Sequence, residues 1–191
     1  MKVFLAGASG VIGQRLLPLM LAAGHQVAAM TRTAGKVPAL RDAGATPVLC
    51  DVYDADALNA AVREFAPDLV MHQLTDLPDE FERIAALAAA NNRMRSEGTQ
   101  NLLAAARLAE AHHFVVQSIA WRMSPVIAAH EGCVLDAGGT VLRYGQFYGP
   151  GTYFGNEPPP HPRIHIDEAA RRTLPFLAGP RGVFTIAESY D

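Results

Sequence analysis

The chain has 191 residues, 50% of them hydrophobic, and a formal net charge of −3 at pH 7. This length allows a sizeable core and makes a second full domain uncommon, so the sequence predicts a single domain over residues 1–191. The slightly acidic balance gives no positive surface for nucleic acid or an anionic membrane. No apolar run reaches membrane-spanning length, and the first residues lack the basic region and cleavage site of a signal peptide, so we expect a cytoplasmic protein.

The sequence does not indicate a metal centre. Cys50 and Cys133 are too few and too far apart for a metal cluster or a disulfide framework, and we expect both to be structural thiols. His161 and His165 stand close to Asp167, but strand alternation would place Asp167 at a helix start, where it caps the helix. We therefore predict no metal site.

Strand-like and helix-like segments alternate along the chain. The strand pattern covers 2–6, 26–31, 46–50, 68–73, 113–118 and 140–144, with a short late strand at 183–186. The helical pattern covers 11–23, 35–43, 55–65, 80–108, 124–137 and 167–177. This alternation predicts an α/β protein: a Rossmann-like doubly wound parallel sheet with helices on both faces.

The first strand runs into a glycine-spaced turn and then into an amphipathic helix. Gly7, Gly10 and Gly13 stand where a tight turn, close ligand approach and helix–strand packing require no side chain. Backbone N–H groups and the helix dipole at the start of that helix favour a pyrophosphate. A purely structural glycine turn is the alternative. The context favours a dinucleotide site, formed by Gly7, Ser9, Gly10, Val11, Ile12 and Gly13.

The end of the second strand bears on the choice of cofactor. Arg32 stands there between two threonines, and an arginine fork with hydroxyls suits a 2′-phosphate, whereas an acidic residue would hold a free ribose hydroxyl. Arg32 is also compatible with a solvated surface role, but the sequence favours NADP, with NAD still allowed. Asp51 and Val52 follow the third strand, where an adenine edge would lie. Asp51 is equally suited to capping the helix that begins near Asp54.

Five segments extend this likeness beyond a generic dinucleotide site. They are residues 7–13 (GASGVIG), 97–103 (EGTQNLL), 115–118 (VVQS), 142–151 (LRYGQFYGPG) and 164–170 (IHIDEAA). In this order they resemble the extended short-chain dehydrogenase/reductase family, which is the NAD-dependent epimerase/dehydratase group. The resemblance is greatest to the atypical members of this family. The resemblance implies one NAD(P)-binding domain whose residues 145–191 form a reduced substrate-binding part.

The resemblance also assigns residues at the carboxyl ends of later strands. Leu74 and Thr75 would line the cofactor groove, and Ser118 would occupy the catalytic serine position beside the cofactor. Tyr144, Gln146 and Tyr148 would approach the nicotinamide, with Tyr148 as a second catalytic candidate. Two alternatives stay open, because Ser118 could cap the following segment and the tyrosines could simply be half-buried packing residues.

The chain departs from the family where catalysis is concentrated. Family members pair the serine with a tyrosine and, four residues later, a lysine, because an unassisted phenol with a pKa of about 10 is a poor base. The only lysines here are Lys2 and Lys36, and neither follows a tyrosine by four positions. Val141 also follows Ser118 by only 23 positions. Two explanations stay open. Either the protein lacks these active-site segments, or mobile loops that belong there have dropped out of a sequence that is numbered without gaps.

Two functional hypotheses follow. The first is an NAD(P)-dependent oxidoreductase or epimerase-like enzyme that acts on a small or sugar-derived carbonyl or alcohol, with Arg122 or His130 as substitutes for the missing pair. The second is a catalytically silent NADP-binding sensor or scaffold. Neither involves nucleic acid or a membrane. The resemblance further implies a homodimer through the helix predicted over 80–108.

Overall fold

The structure, a computed structural model, describes residues 1–78 and 80–189. Its strands are β1 (Lys2–Ala6), β2 (Gln26–Thr31), β3 (Thr46–Leu49), β4 (Leu69–His72), β5 (His113–Ile119), β6 (Thr140–Tyr144), β7 (Gln146–Tyr148), β8 (Arg163–His165) and β9 (Gly182–Ile186). Seven of them form one sheet in the order β3-β2-β1-β4-β5-β6-β9, and every neighbouring pair is parallel.

Helices connect the strands and cover both faces of the sheet. They are α1 (Gly13–Ala22), α2 (Val37–Asp42), α3 (Ala55–Phe65), α4 (Ala88–Arg93), α5 (Thr99–Leu108), α6 (Pro125–Asp136) and α7 (Ile166–Thr173), with a π-helical turn, Met94–Gly98, between α4 and α5. The predicted α/β doubly wound parallel sheet is confirmed. All crossover helices are present, including α6, which closes the short spacing between β5 and β6.

Both faces of the sheet are buried, which explains the continuous apolar runs of its strands. Along β1, Val3 and Leu5 point to the core shared with α1 and α7, whereas Phe4 and Ala6 point to the core shared with α3 and α5. Side chains alternate along each strand, so each strand contributes to both cores. The sheet therefore holds its strand ends rigidly from both sides.

The prediction of a single helix over 80–108 is wrong for the first third of that range. Regular helix begins at Ala88, and only a 3-10 turn, Phe81–Arg83, precedes it. The Phe81 ring packs edge-on against Tyr153 and Phe154, with ring centroids 5.6 Å apart in both cases. The alanine-rich sequence favours helix locally, but these tertiary contacts overrule that weak preference.

Strands β7 and β8 form a second, two-stranded sheet that the sequence pattern did not predict. Each has three residues, which is too short for alternation to be recognised. This small sheet brings the intervening residues 149–162 beside the start of α1, because Arg15 donates a hydrogen bond to the Pro150 carbonyl. The 149–162 segment thus lies beside the glycine turn, at the carboxyl end of the main sheet.

Candidate functional site

The glycine turn after β1 has the geometry that its sequence predicts. Gly7 has φ +94°, and a Cβ there would lie 2.8 Å from the backbone of Gln73. A Cβ on Gly13 would lie 2.1 Å from the Gly7 carbonyl oxygen, so α1 packs directly on the turn. Both positions therefore require glycine, one for its backbone conformation and both for close approach.

The middle of this turn is exposed to solvent, although a Cβ on Gly10 would lie 3.3 Å from the Gly7 carbonyl oxygen. Gly10 is exposed, and its N–H donates to the Gly7 carbonyl at 3.0 Å. The N–H groups of Gln14 and Arg15 donate to the carbonyls of Gly10 and Ile12, whereas those of Val11 to Gly13 have no backbone acceptor within the described residues and remain available at the helix start. Val11 is 41% exposed, whereas the Ile12 side chain is buried in the core, so Ile12 contributes through its backbone alone. Such a turn, with space above Gly10 and unpaired helix donors, fits a pyrophosphate.

The end of β2 carries an ion pair that the sequence did not predict. The Arg32 guanidinium lies 2.7 Å from the Asp76 carboxylate, and this hydrogen bond raises the pKa of Arg32. The Thr31 hydroxyl contacts the Ser9 hydroxyl at 3.0 Å and so ties β2 to the glycine turn. Lys36 adds a second cation, with its Nζ 3.3 Å from the Ser9 carbonyl.

The residues after β3 lie at the carboxyl end of the main sheet, next to the end of β2. The Asp51 side chain accepts the Tyr53 N–H at 3.0 Å, and Asp54 caps α3, so the capping alternative for Asp51 is wrong. Val52 needs a correction, because its side chain is 3% exposed and packs in the core instead of facing the groove. Its carbonyl is occupied by the Asn101 side chain at 2.9 Å.

Behind the end of β4, two buried histidines form a hydrogen-bonded chain. The Leu74 N–H donates to His72 Nδ1 at 3.1 Å, which leaves the proton on Nε2 to bond Thr99 Oγ1 at 3.1 Å. Thr99 then bonds His130 Nδ1 at 2.9 Å, and His130 Nε2 donates to the Gln117 carbonyl at 3.0 Å. Burial lowers the pKa of both histidines, which are therefore neutral at pH 7.

This hydrogen-bonded chain fixes the segment that follows β4. The Leu74 carbonyl also accepts the Gln117 side chain at 2.9 Å, so both backbone groups of Leu74 are held. Thr75 follows it and is exposed at the crevice. His130 is thereby a buried structural residue of α6, and it does not present an acid or base to the crevice.

Ser118 lies at the end of β5, where it was predicted, but its hydroxyl does not face the crevice. It is 2% exposed and donates to Glu131 at 2.6 Å. Glu131 also accepts three hydrogen bonds from Arg143, the shortest at 2.5 Å. We call these three residues the Ser118 cluster. Ser118 does not cap the next helix either, because that role belongs to Ser124.

The charge on Glu131 is maintained inside the protein. Burial alone would raise the pKa of this carboxyl, but the hydrogen bonds from Arg143 and Ser118 outweigh burial and lower it. The carboxylate is thus ionised at neutral pH and holds the Ser118 hydroxyl in place.

Tyr144 also requires a correction. Its side chain is 2% exposed and its hydroxyl bonds Thr173 Oγ1 at 2.7 Å, within the core beneath α7. Burial raises its pKa strongly. The ring points into the core because Tyr144 follows Leu142 at the two-residue spacing that shares one face of β6. Tyr144 therefore does not line the cofactor groove.

Tyr148 lies at the end of β7 and is half-buried. Its hydroxyl donates to Glu188 at 2.6 Å, and Glu188 also accepts from Arg163 at 3.1 Å. We call these three residues the Tyr148 cluster. The hydrogen bond to Glu188 raises the pKa of Tyr148, so the phenol stays protonated at neutral pH. Its ring stacks edge-on against His165, with centroids 5.2 Å apart.

Sequence reasoning missed the three carboxylates that organise this region. Asp76, Glu131 and Glu188 each reach an arginine that is distant along the chain. A signal existed for Glu131, because a carboxylate in the middle of an otherwise apolar helix face needs a partner. For the other two, the sequence offers no comparable indication.

The glycine turn lies within a segment that identifies the family. Residues 7–123 match the family of NAD(P)H-binding proteins, and the chain belongs to that family. Its cofactor is therefore a nicotinamide dinucleotide, as the sequence predicts.

Known proteins share both sequence and fold with this chain. It is 34% identical to a 3-diazoavenalumate denitrifying reductase of a Streptomyces species, over 82% of this chain and 60% of that protein, so it spans well under two thirds of the relative's length. The Thermus thermophilus UDP-glucose 4-epimerase in complex with NAD superimposes with a TM-score of 0.81 at 20% identity, covering 100% of this chain and 78% of the epimerase. The Bordetella bronchiseptica enzyme WbmH in complex with NAD⁺ gives 0.78 at 19% identity, with 100% and 76% covered.

These similarities confirm the resemblance in fold to the epimerase/dehydratase group. Across residues 1–78 and 80–189, no helix is both long and apolar enough to cross a lipid bilayer. The same residues contain no group of three or more His, Cys, Asp or Glu side chains placed to hold a metal ion.

Proposed function

We propose that this protein is an NADPH-preferring oxidoreductase, or an epimerase-like enzyme, that acts on a small or sugar-derived carbonyl or alcohol. The observation that carries the proposal is the open glycine turn at the start of α1, with Arg32 at the adjoining strand end. The 34% identical relative is named as a reductase, and that name supports the reductive direction.

The cofactor would lie along the carboxyl end of the sheet. Backbone N–H groups from Val11 to Gly13 would hold the pyrophosphate, and Arg32 would hold the 2′-phosphate as a charge-assisted fork. Asp51 would face the adenine, with the backbone of Val52 beside it. The exposed Thr75 would form the opposite wall together with Leu74.

The bound nicotinamide supplies the hydride, and the protein must then manage a proton. Tyr148 carries the half-buried hydroxyl best suited to this task. The hydrogen bond to Glu188 raises the pKa of this phenol, so it stays protonated at neutral pH and would donate toward a carbonyl oxygen only after it leaves Glu188. A phenol with a raised pKa is a weak general acid, which agrees with slow turnover. Ser118 supports the crevice from below through Glu131.

We further propose that residues 145–191 form the substrate-binding part, of which the structure describes 145–189. Tyr153 and Phe154 from this part contact Phe81 from the opposite side, so aromatic rings close the crevice over a small molecule. A homodimer through α4 and α5 remains part of the proposal. It is supported by the family resemblance and by Leu108, which is 56% exposed on α5.

Calorimetric titration with NADPH tests the cofactor site. Gly10→Val would place a branched side chain in the opening above the turn, so NADPH binding should be lost while the melting temperature stays close to that of the control. Gly132→Val is a matched control, because a Cβ at Gly132 meets nothing within 4 Å and lies on α6. Normal NADPH affinity in Gly10→Val would place the cofactor elsewhere.

The cofactor preference is tested by comparing NADPH with NADH. The unmodified protein should bind NADPH more tightly, and Arg32→Asp should weaken NADPH by about 1–3 kcal/mol through loss of a charge-assisted bond. Equal affinities for the two cofactors in the unmodified protein would contradict the preference.

The proposed reduction is tested with an aldehyde and ketone panel, monitored by NADPH absorbance. We expect slow turnover, because a positioned acid–base pair contributes about 10²–10⁴-fold and the chain has no tyrosine–lysine pair of the family kind. Tyr148→Phe should abolish the remaining turnover without changing NADPH affinity. NADPH binding with no turnover across the panel would instead favour the silent sensor.

A further inference from the structure

Asp76 and Arg32 approach each other from opposite sides of the proposed cofactor groove. Arg32 directly follows β2, Asp76 follows the end of β4, and β1 lies between these strands in the sheet. The 2.7 Å ion pair therefore spans the carboxyl end of β1, where the glycine turn begins. A cofactor whose adenosine half rests on this turn would meet the ion pair at its 2′ position.

The carboxylate is the fixed member of this pair. The Asp76 N–H donates to the Asn91 side chain at 3.1 Å, and the Pro78 carbonyl, two residues later, accepts from the Tyr153 hydroxyl. The Asp76 side chain is 23% exposed, whereas that of Arg32 is 55% exposed. Arg32 is thus the member free to move, because it is longer and mostly in solvent.

We propose that Asp76 is a specificity-determining residue that competes with the 2′-phosphate of NADPH for Arg32 and so limits the preference for NADPH over NADH. The inference rests on the proposed function, since it assumes that Arg32 serves the 2′ position. It adds that the chain itself contains the counter-ion which this phosphate must displace.

The charges determine the direction of the effect. A ribose 2′-phosphate carries about −1.5 to −2 charges at neutral pH, so it is attracted by Arg32 and repelled by a carboxylate held nearby. A free 2′-hydroxyl feels little of either force. Removing the Asp76 charge should therefore strengthen binding of 2′-phosphorylated nucleotides and leave the others nearly unchanged. The expected gain is about three- to tenfold, because the pair is partly exposed and screened by solvent.

The experiment measures dissociation constants for 2′,5′-ADP and 5′-AMP, and for NADPH and NADH, in the unmodified protein and in Asp76→Asn. We expect Asp76→Asn to bind 2′,5′-ADP and NADPH about three- to tenfold more tightly, with 5′-AMP and NADH changed less than twofold. Asp136→Asn is the control, because it removes the same charge from an exposed position at the end of α6. In an Arg32→Gln background, Asp76→Asn should no longer produce the gain.

Each other outcome has a definite meaning. Weaker binding of 2′,5′-ADP by Asp76→Asn would show that Asp76 orients Arg32 for the phosphate, and it would overturn the proposal. An equal gain for phosphorylated and non-phosphorylated nucleotides would overturn it as well, by showing a general effect on access to the groove. If the unmodified protein bound none of the four nucleotides, the proposed function itself would fail.

Discussion

The Ser118 cluster and the Tyr148 cluster contain the same three chemical groups, a hydroxyl, a carboxylate and a guanidinium, yet they differ in burial. The Glu131 side chain in the first is 5% exposed, whereas the Glu188 side chain in the second is 28% exposed. In both clusters the hydrogen bonds outweigh burial and lower the pKa of the carboxyl. The local chemistry is therefore alike, and the surroundings distinguish the two.

This difference separates a structural cluster from one that can take part in chemistry. A buried charged group that loses its partner cannot recover solvation, so such a cluster is held in one arrangement. An exposed cluster exchanges its hydrogen bonds with water at little cost. Tyr148 can thus release Glu188 to meet a substrate, whereas Ser118 stays on Glu131. Two hydroxyls that look equivalent in the sequence are assigned different roles by their environment.

The largest expected difference between the clusters is in the cost of neutralising the carboxylate. Glu131→Gln should lower the free energy of unfolding by about 2 kcal/mol, because the buried side chain loses its charge-assisted hydrogen bonds to Arg143 and Ser118, while Arg143 itself is 33% exposed and stays partly solvated. Glu188→Gln should lower it by about 0.5 kcal/mol, since solvent replaces the lost partner. Urea unfolding at pH 7 measures both values. Similar losses in the two variants would show that burial does not separate the clusters.

A smaller loss of folding stability should appear when the pH is lowered, and the buried histidines should cause it before the two carboxylates do. The pKa values of His72 and His130 lie below the unfolded value of about 6.5, so the unfolded chain binds protons that the folded chain does not. Stability should therefore fall as the pH drops below about 6.5, by at most about 1.4 kcal/mol per pH unit for each histidine. The two glutamates add to this loss only below about pH 4.3, because their folded pKa values are lowered.

Unfolding free energies between pH 7 and pH 5 test this order. His130→Gln should reduce the slope in that range, and Glu188→Gln, in the Tyr148 cluster, should leave it unchanged. A slope that is unaffected by His130→Gln would mean that this histidine does not resist protonation in the folded state.

The sequence predicts the main sheet well, because its strands are buried on both faces and its turns are marked by glycine and proline. The predictions for β1, β2 and β6 match the observed bounds, and those for β3, β4, β5 and β9 differ by one residue at one or both ends. The failures involve tertiary contacts. Because Phe81 contacts the 149–162 segment, the observed helix is shorter than the predicted one. Strands β7 and β8 are too short for their hydrophobic alternation to be recognised.

The residues of the candidate site likewise divide into those that the sequence predicts and those that it does not. The glycine turn was predictable because its function resides in the backbone, and the required glycines are adjacent in sequence. The directions of Ser118 and Tyr144 were not, because each depends on which face of a strand the residue occupies and on partners far along the chain. Val52 was misplaced for the same reason. Strand ends are readable from sequence, but side-chain partners at those ends are not.

The smallest expected difference concerns the hydroxyls themselves. Ser118→Ala removes a buried hydrogen bond to a charged carboxylate, so it should lower the free energy of unfolding by about 1.5 kcal/mol. Tyr148→Phe removes a bond of similar length, 2.6 Å in both clusters, but solvent can reach Glu188, and the loss should stay below about 0.5 kcal/mol. Matched bond lengths make this pair of variants the strictest test of burial, because the geometry is held constant. A loss in Tyr148→Phe as large as that in Ser118→Ala would mean that the Tyr148 cluster is as rigid as the buried one, and Tyr148 would then be unsuited to releasing Glu188 for a substrate.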